Sequence, residues 1–211
     1  MNSKTRRVLL ILGAILILGV IIAGTATAQS GPRSFRILRP EDPPQGCLEN
    51  ANGDVAIGDV AIRSFGPVEI MTVGIQRMPP NKTFNLFVTQ LPREPYGIAW
   101  YQGDIRTNED GNGVGYFVGR FNAETFAFAP DRGSAPVIHD KGRFRDASTN
   151  PRFKPIHTFH LTLWFDSPEA AEESGCPGDV TPFNGEHRAG IKALSTRNFP
   201  NDSGPLRSIE P

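Results

Sequence analysis

Histidine is the side chain best suited to proton transfer or metal binding near neutral pH, and this chain has four: His139, His157, His160 and His187. His157 and His160 lie three positions apart. On a strand that spacing sends them to opposite faces, so they cannot share a metal without a bend. His160 with Glu186 and His187 offers two imidazole nitrogens and one carboxylate, a donor set for a metal-dependent enzyme wherever the fold brings the three together. No spacing in the sequence requires that meeting, and ordinary polar histidines are the competing reading. Asp104, Asn108, Asp110 and Asn112 supply four oxygens within nine positions. A calcium loop of the EF-hand type needs alternating acids and a terminal bidentate Glu, and both are missing. Asn and Gly are what a tight hairpin demands, so the turn reading is preferred.

The frameworks of other chemistries are absent. There is no Gly-x-Ser-x-Gly elbow, no His-Glu-x-x-His, no phosphate-cradling glycine loop and no dinucleotide fingerprint. Glu94, Glu124 and Asp104 are scattered acids without paired placement. No cofactor is expected. Binding is better represented than catalysis: Trp100, Tyr101 and Trp164 are the notable aromatics. Neighbours on a strand point to opposite faces, so at most one of Trp100 and Tyr101 belongs to a core. An outward tryptophan can stack on a sugar ring or cover a partner surface. Asn81-Lys82-Thr83 and Asn201-Asp202-Ser203 are glycosylation sequons, meaningful where the host modifies them.

The elements that must position these residues read as strands. Asp54–Ser64, Val68–Arg77, Thr83–Leu91, Gly97–Arg106, Gly113–Phe121 and Ile156–Phe165 each alternate apolar and polar residues. The last is the cleanest, with Phe159, Leu161, Leu163 and Phe165 on one side and His160, Thr162 and Trp164 on the other. Gly, Pro and Asn punctuate the runs, and the chain has 22 Gly and 19 Pro, a level suited to many short strands joined by turns. Ser167-Pro168 followed by Glu169 and ending at Gly175 predicts one short helix, with a serine cap, proline in the first turn and a glycine stop. Residues 130–155 have no period and carry several basic side chains, which marks a long functional or mobile loop. The expected fold is an all-β, antiparallel, β-sandwich-like domain with that short C-terminal helix, preceded by an N-terminal signal or anchor helix.

Lys4, Arg6 and Arg7 precede 17 residues, from Val8 to Gly24, that are all Val, Leu, Ile, Ala or Gly. Ala26-Thr27-Ala28 then forms an A-x-A cleavage site, so residues 1–28 are expected to be a secretory signal cut after Ala28, or else a retained membrane anchor. In both cases the rest of the chain lies outside the cytoplasm, and the membrane is met only through this segment. Residues 29–45, rich in proline, are read as an extended leader, 46–195 as the domain and 196–211 as a surface tail. Residues 1–28 hold three basic residues and no acidic one. The remainder therefore has 19 basic and 22 acidic residues, a net charge of −3, which lacks the basic footprint of a nucleic-acid binder. Cys47 and Cys176 are the only cysteines, and in an oxidising compartment they predict one disulfide closing most of the domain.

Two stretches carry a resemblance as a set. One runs from Asn85-Leu86-Phe87-Val88 through Trp100-Tyr101-Gln102-Gly103-Asp104 to Asp110-Gly111-Asn112-Gly113. The other runs from Gly175-Cys176-Pro177-Gly178 through Thr181-Pro182-Phe183-Asn184-Gly185-Glu186-His187 to Gly190-Ile191. Together they resemble bacterial exported proteins to which no function is assigned. The resemblance covers most of residues 46–206 and implies export and one compact domain, with no catalytic or binding residue to carry over. The functional expectation is a secreted or membrane-held extracytoplasmic binding module for a glycan or a protein. A metal-dependent extracellular enzyme built on His160, Glu186 and His187, and a purely structural envelope protein, are the alternatives.

Overall fold

The structure, a computed structural model, describes residues 33–50, 52–122, 125–127, 156–178 and 188–209. Their architecture is all-β and antiparallel. Eight strands form one sheet: β1 (Arg33–Leu38), β2 (Ile57–Phe65), β3 (Val68–Gln76), β4 (Thr83–Thr89), β5 (Ala99–Arg106), β6 (Gly113–Gly119), β9 (His160–Phe165) and β10 (Lys192–Ser195). Two short strands, β7 (Phe126–Ala127) and β8 (Ile156–His157), pair apart from it. The order across the large sheet is β5-β4-β9-β10-β1-β2-β3-β6.

Period-two patterning curls this sheet into a near-closed barrel. Val60 and Ile62 of β2, Met71, Val73 and Ile75 of β3, Phe84 and Leu86 of β4 and Leu161, Leu163 and Phe165 of β9 all turn inward and are buried. With one face of so many strands buried and only one short helix among the described residues, the sheet covers that face largely with its own strands by curling on itself. The edge strands β5 and β6 do meet at one end, where a Cβ built on Gly113 would lie 2.7 Å from the Arg106 carbonyl oxygen. No ladder pair among the described residues joins β5 to β6. The seam therefore opens toward the other end.

The β5–β6 connection is a turn, as expected. Asn108 Oδ1 accepts from the amides of Asp110 and Asn112. Gly111 takes a positive φ of 73°, and a Cβ there would fall 2.1 Å from the Met78 carbonyl oxygen. The predicted helix is also present as α1 (Pro168–Glu173), with the Ser167 hydroxyl accepting from the Ala170 amide and Glu169 in the first turn. Just beyond it, Cys176 is bonded to Cys47, which accords with an oxidising, non-cytoplasmic compartment. Among the described residues no helix is long and apolar enough to cross a membrane. The signal segment with Ala26 and Ala28 lies outside the described residues, as does the basic loop up to Pro155.

Three expectations need correction. Residues 29–45 are not only a leader, because β1 lies between β10 and β2 with Ile37 fully buried. Its pattern was hidden by arginines at outward positions such as Arg36, which pairs with Asp59 at 3.1 Å. The tail after residue 195 is not a surface appendage. Thr196, Leu206 and Ile209 are buried, and a 3-10 turn over Pro205–Ser208 packs Leu206 against the core. Finally, the run Ile156–Phe165 breaks at Thr158-Phe159, so His157 and His160 belong to different strands.

Candidate functional site

A β-bulge aims the site's central residue. Along β4 and β5, Leu86 faces Gly103 but Phe87 faces Tyr101, so Gln102 is an extra residue. In an unbroken register Trp100 would stand opposite Thr89, on the outer face. The one-residue slip places it opposite Val88 instead, on the barrel-interior face. Gly103 beside the bulge adopts φ 144°, and a Cβ there would sit 3.1 Å from the Phe117 ring. Any other residue at Gly103 would be both strained and crowded.

Trp100 stays 61% exposed because it stands where β5 and β6 have parted. It borders a cavity of about 240 Å³ shared with Val88, Gln102, Arg120, Phe121, Thr125, Thr158 and Leu206. The floor is apolar, from Val88, Phe121 and Leu206. The walls are polar. Gln102 Nε2 donates to the carbonyls of Trp100 and Tyr101 at 3.0 and 3.3 Å. Thr125 Oγ1 donates to the Arg120 carbonyl at 2.9 Å.

One buried carboxylate holds the far wall. Glu69 in β3 has no exposed surface. It accepts from the Phe121 amide at 2.5 Å and from Asn122 Nδ2 at 2.8 Å, with Arg120 Nε 3.7 Å away. Two full hydrogen bonds and a nearby guanidinium offset the desolvation of the charge. Glu69 escaped the sequence reading because a lone acid in an apolar run looks like an outward residue. Its inward parity, shared with Met71 and Val73, was the available signal.

The other sequence candidates are distributed differently. Tyr101 lies on the outer face as parity requires; its ring packs 5.6 Å from Phe87 and its hydroxyl donates to Asp104 at 2.8 Å. Asp104 Oδ1 also accepts from Asn85 Nδ2 at 2.7 Å, which braces β5 against β4. Trp164 is not a surface platform: it is fully buried, with Phe87 at 5.1 Å and Tyr96 at 5.2 Å. The strand parity was right, but the β4–β5 connection folds over the outer face of β9 and roofs it.

His160 is likewise covered. Its Nε2 donates to the Asn201 carbonyl at 3.0 Å and its Nδ1 faces Thr196 Oγ1 at 2.9 Å, which fixes the Nε2–H tautomer and leaves neither nitrogen for a metal. Glu186, His187 and His139 lie outside the described residues. Among the described residues no three His, Cys, Asp or Glu side chains converge on one point. Burial, against the favourable carbonyls of Asn201 and Pro200, holds the His160 imidazole below its ordinary 6.5. The unfolded chain therefore binds the extra proton more readily, and stability from this group is complete above pH 6.5 and falls as pH drops below it. Urea midpoints between pH 7.5 and 5.5 should decline in the parent more steeply than in His160→Gln; parallel slopes would show that other groups set the acid response.

Val114, Tyr116 and Val118 project outward from β6 and are 55%, 73% and 70% exposed, an apolar row beside the open seam. Comparison of the chain with family models, with curated proteins and with solved structures found no match.

Proposed function

We propose that the chain is an exported, non-enzymatic binding module whose ligand is a glycan, held by one sugar ring stacked on Trp100. The observation that carries this reading is an exposed indole swung by a bulge to the rim of a small, polar-walled cavity. A sugar ring presents C–H groups on one face and hydroxyls around its edge. That ring is met by an aromatic face together with amide and hydroxyl partners, here Gln102, Thr125 and Thr158. The volume, about 240 Å³, lies below the range of drug-sized pockets and suits a single ring. A protein epitope would need a broader surface.

Export and an extracytoplasmic location draw support from the sequence of residues 1–28 and from the Cys47–Cys176 disulfide. The metal-dependent enzyme draws none from His160, whose two nitrogens are already engaged.

The test is a titration of mono- and disaccharides followed by the Trp100 indole N–H resonance. Trp100→Ala is expected to weaken the best ligand by about 2 kcal/mol, roughly thirtyfold. Its unfolding midpoint should stay unchanged, because the side chain is mostly exposed. Undiminished affinity in Trp100→Ala, or a complete set of sugars that leaves the resonance still, would remove the glycan reading.

A further inference from the structure

We propose a second binding site, on the outer face of β9 and β10, that takes the oxyanion group of a small molecule, a carboxylate or a phosphate. It is separate from the Trp100 cavity and does not depend on the glycan reading. The site is a pocket of about 330 Å³ lined by Trp164, Tyr96, Ile191, Lys192, Arg93 and Arg197, with Glu41, Asp42, Glu94 and Pro40 completing the wall.

Two hydrogen-bond donors meet here, one without an acceptor among the described residues and one held by a single long contact. Trp164 is fully buried, and among the described residues its Nε1–H has no partner. An indole N–H can only donate, so burying it unpaired is unfavourable. Lys192, directly opposite Trp164 in the β9–β10 ladder, is half-buried. Its ammonium makes one long contact, 3.4 Å to the Pro92 carbonyl, and lies 5.0 Å above the Tyr96 ring. Cross-strand partners on one face bring their side chains within about 5 Å at Cβ, so both donors can reach one ligand group.

A second bulge creates this pairing. Leu194 faces Leu163, whereas Lys192 faces Trp164, which makes Ala193 the extra residue. Without the slip Lys192 would oppose Phe165 and point its ammonium into the apolar core. The chain inserts a residue here to keep a cation on the roofed outer face, the use bulges commonly have beside functional sites.

The surrounding charges are layered. Arg197 Nη1 is 2.9 Å from Glu41 Oε1, and Arg93 Nη2 is 3.5 Å from the same oxygen. One carboxylate thus serves two guanidiniums. Glu41, Asp42 and Glu94 are all exposed at the rim. Burial, with Arg93 and Arg197 adding to it, pulls the Lys192 ammonium below its ordinary pKa of 10.5, against Glu94 and Glu41. Arg93 Nη2 also donates to the Arg197 carbonyl at 2.8 Å, and Arg197 Nε to the Arg39 carbonyl. Among the described residues the unmet donor capacity is therefore the indole N–H and the remaining ammonium protons, which an oxyanion would satisfy with the two guanidiniums adding positive charge.

Trp100→Phe leaves Trp164 as the single tryptophan of a chain that has two, so one indole N–H resonance reports this pocket alone. The protein is titrated with sodium phosphate, sodium glucuronate and, as control, sodium chloride at constant ionic strength. A saturable downfield shift with phosphate or glucuronate, absent with chloride, is expected. Lys192→Met, which keeps the aliphatic length, should weaken it about ten- to a hundredfold. Saturation with phosphate alone assigns a phosphate ligand, and saturation with glucuronate alone assigns a carboxylate. No saturable shift with either anion, or an equal affinity in Lys192→Met, overturns the proposal. Arg197→Gln provides the same comparison should Lys192→Met fail to fold.

Discussion

Replacing Cys47 and Cys176 together by alanine is expected to destabilise the domain by about 2–5 kcal/mol, one of the two largest single effects the molecule offers. The bond joins residues 129 apart, so it removes a large part of the freedom of the unfolded chain. It also ties the segment following β1 to the segment following α1, and both sulfurs are buried in the core cluster. For a domain of this size each kcal/mol moves the thermal midpoint by about 2–4 °C, which predicts a fall on the order of 10 °C. Urea unfolding of the parent and the double variant distinguishes the causes. Relaxing the unfolded state raises the denaturant slope as well as lowering the midpoint. A lower midpoint at unchanged slope would assign the loss to packing around the two sulfurs alone. A loss of stability below about 1 kcal/mol would contradict the entropic argument.

Glu69→Ala is expected to cost about 3 kcal/mol and to abolish binding in the Trp100 cavity. The substitution removes the acceptor of the Phe121 amide, in a region where Phe121 is buried, and one hydrogen bond of Asn122 Nδ2. Unpaired buried donors each cost about 1–3 kcal/mol. Arg120 is partly exposed and can regain water, so its share is small. Glu69→Gln keeps the volume and one acceptor but turns an NH2 group toward a donor, and should lie between parent and Glu69→Ala. Chemical unfolding gives the stability change, and sugar titration of variants held well below their midpoints gives the binding change. Equal stability in all three proteins would mean that water replaces the carboxylate without loss. Full stability loss with unaltered sugar affinity would separate Glu69 from the cavity wall.

Much of the fold was legible because alternation is written residue by residue. Val60 and Ile62, Met71 and Val73, and Leu161 and Leu163 announce inward faces whatever their partners are. The capped helix after Ser167 and the Asn108 turn are equally local. β1 and β10 were harder. β1 mixes arginines with Phe35 and Ile37, and β10 is four residues long with a bulge inside it, so neither sustains a period. Both become strands because the neighbouring ladders have unpaired edges that need them.

Of the site, the sequence pointed to Trp100 and Tyr101 on opposite faces, and that is where they lie. It could not say which face is roofed. Trp164 and Trp100 both sit on strands with similar flanks, yet one is buried under the β4–β5 connection and the other stands at the open seam.

By itself the sequence determined the strand-forming segments β2 to β6 and β9, the antiparallel class, the helix with its caps and the single pair of cysteines. These follow from side-chain periodicity, turn chemistry and a count of two thiols, all properties of neighbours along the chain. The tertiary structure alone decided that the sheet closes into a barrel with an open seam. It also placed the extra residues at Gln102 and Ala193 and set Trp164 opposite Lys192 at one pocket. A bulge shifts register by one residue and so reverses the face of every side chain beyond it. That reversal is set by the partner strand, which no local pattern contains.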